Sequence, residues 1–207
     1  ESGDSKTGAL GIGSSEACML GGVAAWLRWR KRRMAEGKPV NKPNLVMSAG
    51  MQVVWEKFCQ LWQIELRQVP LTRQKRTLCP KDAIAHCDEN TICVVPIAGV
   101  TWTGLNDDIE ALDKELDEYN KKTGYDIPIH VDAASGGFIL PFIYPDKKWD
   151  FRLKWVISIS TSGHKFGLVY PGSGWGIWRD KSYLPDEMSF SVNYLGAEVT
   201  QVGLNFS

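Results

Sequence analysis

Lysine is seldom placed where its ammonium loses water, yet Lys165 stands just past an apolar run, in Ser160-Thr161-Ser162-Gly163-His164-Lys165. Desolvation lowers an amine's pKa, and the free base is a nucleophile that condenses with an aldehyde to an imine. A second apolar run ends on a carboxylate, Asp132, in His130-Val131-Asp132-Ala133-Ala134. A third polar stretch, Gly11-Ile12-Gly13-Ser14-Ser15, opens a helix, where free N–H groups and the positive dipole end make an anion site. Thr101-Trp102-Thr103-Gly104 is a further polar segment following a strand. Amine, carboxylate and anion site together describe a pocket for a phosphate-bearing aldehyde.

Other chemistries lack their residues. Gly11-x-Gly13 runs on to Glu16 where a dinucleotide fingerprint wants its third glycine, and no strong strand is expected before it. There is no GxxxxGK[ST], no HExxH and no GxSxG. The aldehyde that carries a phosphate and works through a lysine imine is pyridoxal phosphate, whose pyridinium nitrogen wants a carboxylate partner. Asp132 suits that role, because a carboxylate there keeps the ring nitrogen protonated and the ring electron-accepting. Taken singly, each residue has a plainer use: a snorkelling lysine, a turn or cap aspartate, a turn threonine at Thr101, a helix-start glutamine at Gln52. His130, on an alternating strand, reads as a satisfied structural histidine, whereas His164 adjoins the candidate lysine.

The elements that must position these groups alternate. Apolar spacing predicts helices over 14–34, 52–62, 80–87 and 107–123, the last closed by Gly124, and strands over 43–48, 64–69, 92–95, 127–132, 156–160 and 174–178. Strands alternating with helices imply an α/β fold, a mostly parallel (mixed) sheet flanked by helices, with ligands gathering where strands end. The basic run from Arg28 to Arg33 suits the negative end of the first helix, solvated or facing a subunit, better than a nucleic acid. Trp26 with Trp29, and Trp175 with Trp178, suit core or oligomer contacts.

Composition bounds the class. The 207 residues are 43% hydrophobic and 23% charged, with 24 Lys+Arg against 24 Asp+Glu, which describes a globular chain with no electrostatic case for a nucleic-acid partner. No apolar run is long enough to span a bilayer and the first residues carry no secretion pattern, so neither a membrane nor a secreted setting is expected, and a cytoplasmic enzyme is. For the same reason the acceptor pattern Asn205-Phe206-Ser207 carries no weight as a glycosylation site. Five cysteines without a CxxC pair read as reduced thiols, not a disulfide framework or a metal site. The abrupt start and stop suggest a piece of a longer protein.

Three segments carry a family resemblance: Ser158 to Gly167 (Ser-Ile-Ser-Thr-Ser-Gly-His-Lys-Phe-Gly), His130 to Phe138 (His-Val-Asp-Ala-Ala-Ser-Gly-Gly-Phe) and Gly13 to Cys18 (Gly-Ser-Ser-Glu-Ala-Cys). Across almost the whole chain the sequence resembles the plant and microbial glutamate decarboxylases, within the pyridoxal phosphate-dependent group II decarboxylases. His-Lys after a strand and Asp-Ala-Ala before a loop belong to the wider group, and Ser-Gly-His-Lys-Phe-Gly and Asp-Ala-Ala-Ser-Gly-Gly-Phe favour the glutamate branch over the aromatic amino-acid branch.

The resemblance implies the large domain of the aspartate aminotransferase-like (fold type I) enzymes over 1–207, with an N-terminal segment and a small C-terminal domain lying outside this chain. It implies Lys165 as the imine-forming lysine, His164 and the Ser14-Ser15 pair on the cofactor phosphate, and Asp132 on the pyridine nitrogen. Ala134 would pack under the ring, Gln52 would cover its other face, and Thr101 would bond near the ring hydroxyl or the substrate carboxylate. Ser207 would reach the phosphate of a neighbouring subunit, which requires a homodimer or a higher homo-oligomer. The implied reaction is decarboxylation of L-glutamate to 4-aminobutyrate and carbon dioxide. The alternatives are another pyridoxal phosphate-dependent amino-acid decarboxylase, a carbon-carbon lyase, or a truncated assembly module that folds and associates without turnover.

Overall fold

The computed structural model describes residues 7–189, so Ser207 and its expected contact lie outside the described residues. Seven strands, β1 (Thr7–Gly11), β2 (Asn44–Ser48), β3 (Glu65–Val69), β4 (Thr91–Val95), β5 (Ile129–Asp132), β6 (Val156–Ser162) and β7 (Gly174–Trp178), form one sheet in the order β1-β7-β6-β5-β4-β2-β3. Strands β3, β2, β4, β5 and β6 run parallel, and β7 is antiparallel to both its neighbours. Every residue of β2, β4, β5 and β6 is buried, as expected of strands covered on both faces.

The helices α1 (Ser14–Ala35), α2 (Val53–Leu61), α3 (Pro80–Ala85), α4 (Ile109–Thr123) and α5 (Leu140–Ile143) divide between those faces. Leu20, Val23 and Trp29 of α1 and Trp55 and Phe58 of α2 pack on Leu45, Met47, Cys93 and Val95, while Leu112 and Leu116 of α4 and Ala83 of α3 pack on Val46, Val94, Ile129 and Val131. Neighbouring strand residues thus feed opposite layers, the period-2 rule applied twice.

The spacing-derived elements match the observed ones to within a residue or two at most ends. The exceptions are the one-turn α5 and, more consequentially, β1. No strong strand is expected before the glycine turn, yet Thr7–Gly11 pairs antiparallel with β7, from Thr7 opposite Trp178 to Gly11 opposite Gly174. Thr-Gly-Ala-Leu-Gly has weak strand propensity of its own, and the partner's ladder holds it. The consequence for the site is direct, since β1 delivers the chain to the start of α1 at the sheet edge where β2, β4, β5 and β6 end.

Gly21, in mid-helix, sets how closely α1 approaches the sheet. A β-carbon there would strike the His130 ring, so the glycine's intrinsic helix cost, about 1 kcal/mol, is accepted for a close crossing. The basic end of α1 is only partly solvated: Arg33 is buried and donates to the carbonyls of Pro39 (2.7 Å) and Glu89 (3.1 Å), and Arg32 bonds Asp126. Trp29 and Trp178 belong to the core; Trp175 is half-buried, edge-on to Phe138, and Trp26 lies under Arg30. All five cysteines are free thiols.

Candidate active site at the carboxyl edge of the sheet

A cavity of about 340 Å³ opens where the parallel strands end, and Ser14, Ser15, Gln52, Asp132, Ala134, His164 and Lys165 all line it. These residues come from four separate stretches. The two serines begin α1, Gln52 precedes α2, Asp132 ends β5 with Ala134 just beyond, and His164 and Lys165 follow β6. Thr101 does not line this cavity; its hydroxyl accepts a hydrogen bond from Gln52 Nε2 at 2.5 Å, and it borders a second, more apolar cavity of about 680 Å³. Lys165 lines both cavities, standing between them.

Each group is held by the local fold. At the head of α1, Gly13 takes a φ of 86° and supplies no capping side chain, which leaves the first turn open to an external acceptor. The carboxylate of Glu16 turns back to the amide of Ile12 at 2.5 Å. Asp132 is 2% exposed, its Oδ2 accepting from Trp55 Nε1 at 2.8 Å and its Oδ1 from the amide of Ala134 at 3.2 Å. Backbone bonds from the Ala98 amide to the Asp132 carbonyl (2.9 Å) and from the Asp132 amide to the Pro96 carbonyl (3.0 Å) fasten β5's end to the chain leaving β4.

Asp107 anchors the same loop by accepting from the amides of Leu78 and Ile97, and burial raises its pKa against those two bonds. His164 is exposed at the rim, its Nδ1 3.1 Å from the buried Ser162 hydroxyl. Lys165 is half-buried, with Nζ 3.4 Å from Ser135 Oγ. It stands past the end of β6 on a turn, at the cavity wall and not sealed in the core.

His130 keeps the structural role expected of it. It is buried between α1 and the sheet with Nδ1 2.7 Å from Ser158 Oγ and Nε2 3.1 Å from Ser160 Oγ, and desolvation pushes its pKa down to about 3. The ring is therefore neutral at physiological pH. Reasoning from sequence overlooked three groups. Cys18 lines the cavity with its thiol 3.2 Å from Ser160 Oγ; burial, reinforced by the charge of Asp132, pushes that thiol well above its ordinary pKa. Ser135 faces the lysine, and Trp55 grips the aspartate. The usable signal for Trp55 was that a buried indole N–H needs an acceptor.

The pocket's donor set can be tested against the phosphate-bearing aldehyde. An open helix start with two hydroxyls suits a phosphate, a primary amine suits the aldehyde, a buried carboxylate suits a ring nitrogen, and the Ala134 methyl offers a flat apolar contact. The residues fit that group.

Residues 1–207 match the family model described as the pyridoxal-dependent decarboxylase conserved domain. The chain belongs to the pyridoxal-dependent decarboxylase family. It is 57% identical over 202 residues to a glutamate decarboxylase of Lactococcus lactis, covering 97% of this chain and 43% of that protein. It is 52% identical over 207 residues to glutamate decarboxylase 1 of Arabidopsis thaliana, covering 100% of this chain and 41% of that one.

Among solved structures, a glutamate decarboxylase of Lactobacillus brevis superposes with a TM-score of 0.92 at 51% identity, over 98% of this chain and 46% of the other. A sphingosine-1-phosphate lyase of Burkholderia pseudomallei gives 0.77 at 28%, over 99% and 45%. This family member thus spans less than half the length of the curated relatives it matches. No helix among the described residues is long and apolar enough to cross a membrane.

Proposed function

We propose that the full-length enzyme containing this chain converts L-glutamate to 4-aminobutyrate and carbon dioxide, with pyridoxal phosphate held in the cavity at the carboxyl edge of the sheet. The convergence of Lys165, Asp132 and the start of α1 on one cavity carries the reading, and the 57% identity to a glutamate decarboxylase supports L-glutamate as the substrate. The chain is read as the cofactor-binding large domain, with the rest of the substrate site supplied by segments outside it. A homodimer or higher homo-oligomer, in which Ser207 reaches a neighbour's phosphate, and a cytoplasmic setting belong to the same proposal.

When bound, pyridoxal phosphate supplies an electron-accepting ring that takes the electron pair of the carboxyl bond broken at the α-carbon. The chain's residues bind and orient. Ser14, Ser15 and His164 hold the phosphate, with the open amides and dipole of α1 adding attraction for its charge. Lys165 would hold the cofactor through its amine, the group in this cavity suited to an aldehyde. Asp132, desolvated and doubly hydrogen-bonded, holds a proton on the ring nitrogen, where a fixed carboxylate in a dry site acts more strongly than one in water. Ala134 and Gln52 flank the ring, and Thr101 steadies Gln52. The net reaction takes up one proton at the α-carbon.

The test is carbon dioxide and 4-aminobutyrate release from L-glutamate by the full-length enzyme, beside a panel of other amino acids. Release confined to glutamate supports the reading. Turnover of another amino acid, or carbon-carbon cleavage of a phosphorylated amino alcohol as the 28% identity to a lyase could suggest, replaces it. Folding and association of the full-length protein with no turnover of any substrate would leave only an assembly role.

A further inference from the structure

The carboxylate of Asp132 can swing about its terminal torsion, which is broad and roughly two-fold. Two N–H groups among the described residues donate to it, the Ala134 amide at 3.2 Å and, at 2.8 Å, the indole of Trp55, 77 positions away in sequence, and the Cys18 thiol interacts with it as well. The indole is the shorter of the two and is a donor with no acceptor function. We infer that Trp55 is a positioning residue, which through Nε1–H locks Asp132 in the orientation that serves the cofactor's ring nitrogen. This rests on the reading of the cavity given above.

Trp55 is itself immobilised. Fully buried, it packs edge-on against Phe58, with ring centroids 6.0 Å apart, and against His130 at 5.3 Å. His130 is pinned in turn by Ser158 and Ser160 and is neutral, so it brings no competing charge beside the carboxylate. Cys18 on α1, a protonated thiol, also borders the site without charge. The chain of contacts runs from the β6 serines through an uncharged histidine to the indole and then to the aspartate. Buried polar groups held in this way lose little freedom when a ligand arrives.

A structural role and a positioning role separate on the cofactor's ring nitrogen. The dissociation constants of pyridoxal phosphate and of its carba analogue, in which that nitrogen is replaced by C–H, are measured on the full-length apoenzyme. Trp55→Phe, which keeps an aromatic ring and loses the N–H, is compared with Asp132→Asn and the unsubstituted enzyme. Loss of a hydrogen bond to a charged group predicts pyridoxal phosphate binding roughly 10- to 100-fold weaker in Trp55→Phe, with the analogue's affinity unchanged.

Equal weakening of both ligands, or of neither, overturns the inference, because Trp55 then only fills space or does nothing. If Asp132→Asn keeps the preference for pyridoxal phosphate over the analogue, the ring-nitrogen pairing is wrong and the inference falls with it. Should Trp55→Phe fail to fold, 3-benzothienylalanine at position 55 keeps the indole's shape, replaces N–H by sulfur, and is held to the same selective loss.

Discussion

The two ends of α1 carry the same backbone dipole with opposite treatment. At its N-terminus Gly13 leaves the first turn uncapped and Ser14 and Ser15 face a cavity. At its C-terminus Arg32 and Arg33 are bonded to Asp126, Pro39 and Glu89, which satisfies local carbonyls and complements the negative end. One end is finished by the protein's own side chains and the other opens on the cavity. Between them the helix crosses His130 at a distance that Gly21 sets. Open and closed ends should therefore respond differently to substitution, in cofactor binding at one and in folding stability at the other.

The largest effect expected belongs to the open end's cavity. Lys165→Ala removes the amine, so borohydride treatment of the enzyme with pyridoxal phosphate should label residue 165 in the parent and nothing specific in the variant, with turnover falling to background. Thermal unfolding of the apoenzyme should hardly move, since among the described residues the hydrogen bond of Nζ is a long one, 3.4 Å to Ser135. Mass-spectrometric mapping beside a melting curve checks both halves; a label elsewhere would move the chemistry out of this cavity.

Next in size is the pH dependence of the buried crossing. The His130 pKa falls from 6.5 to about 3 on folding, so between those values the unfolded chain binds a proton that the folded one does not. Its contribution is present in full above pH 6.5 and is lost as pH falls, at up to about 1.4 kcal/mol per pH unit. Urea unfolding of the apoenzyme from pH 6.5 to 4.5 should show this slope, and His130→Gln should flatten it. An unchanged slope in the variant would mean the carboxylates alone account for it.

Gly21→Ala drives a methyl into that same ring and should cost about 1–3 kcal/mol by overpacking, read as a lower denaturation midpoint. At the closed end, Arg33→Met keeps the stem and removes the buried guanidinium, which orphans the Pro39 carbonyl and leaves the Glu89 carbonyl to the Trp29 indole, at about 1–2 kcal/mol. Cofactor affinity in the folded fraction of the Arg33 variant should be unaltered. The smallest effect is at the open end, where Ser15→Ala should weaken pyridoxal phosphate by about tenfold, one hydrogen bond's worth, without lowering the melting temperature of the apoenzyme. A stability loss there equal to that of Arg33→Met would erase the distinction between the ends.

Much of this arrangement is written locally in the chain. The apolar runs at Ile92 to Val95 and Val156 to Ser160, the helix over 14–34 and the Gly124 stop all follow from spacing and termination, because burial periodicity is a property of short windows. The observed Gly124, in the left-handed conformation with φ 75°, is such a stop. Strand β1 was not legible, because Thr7–Gly11 has no strand pattern of its own and depends on β7, far along the chain. The partners of the predicted site residues were equally hidden: Thr101 could be singled out from its turn, but not its bond to Gln52, which joins two loops 49 positions apart.

By itself, the sequence determined the residue types on which the proposed chemistry rests, an aspartate that ends one buried strand, a lysine just past another and two serines at a helix start, together with the parallel order that turns those strand ends to one edge. Chemical identity and short-range periodicity are intrinsic to the chain. Only the tertiary structure decided that Lys165 stands half-buried between two cavities, that Trp55 and not a charged residue grips Asp132, and that Gly21 lets α1 lie against His130. Those outcomes depend on which side chains meet across the sheet's layers, and contacts between residues distant in sequence come into being only when the layers pack.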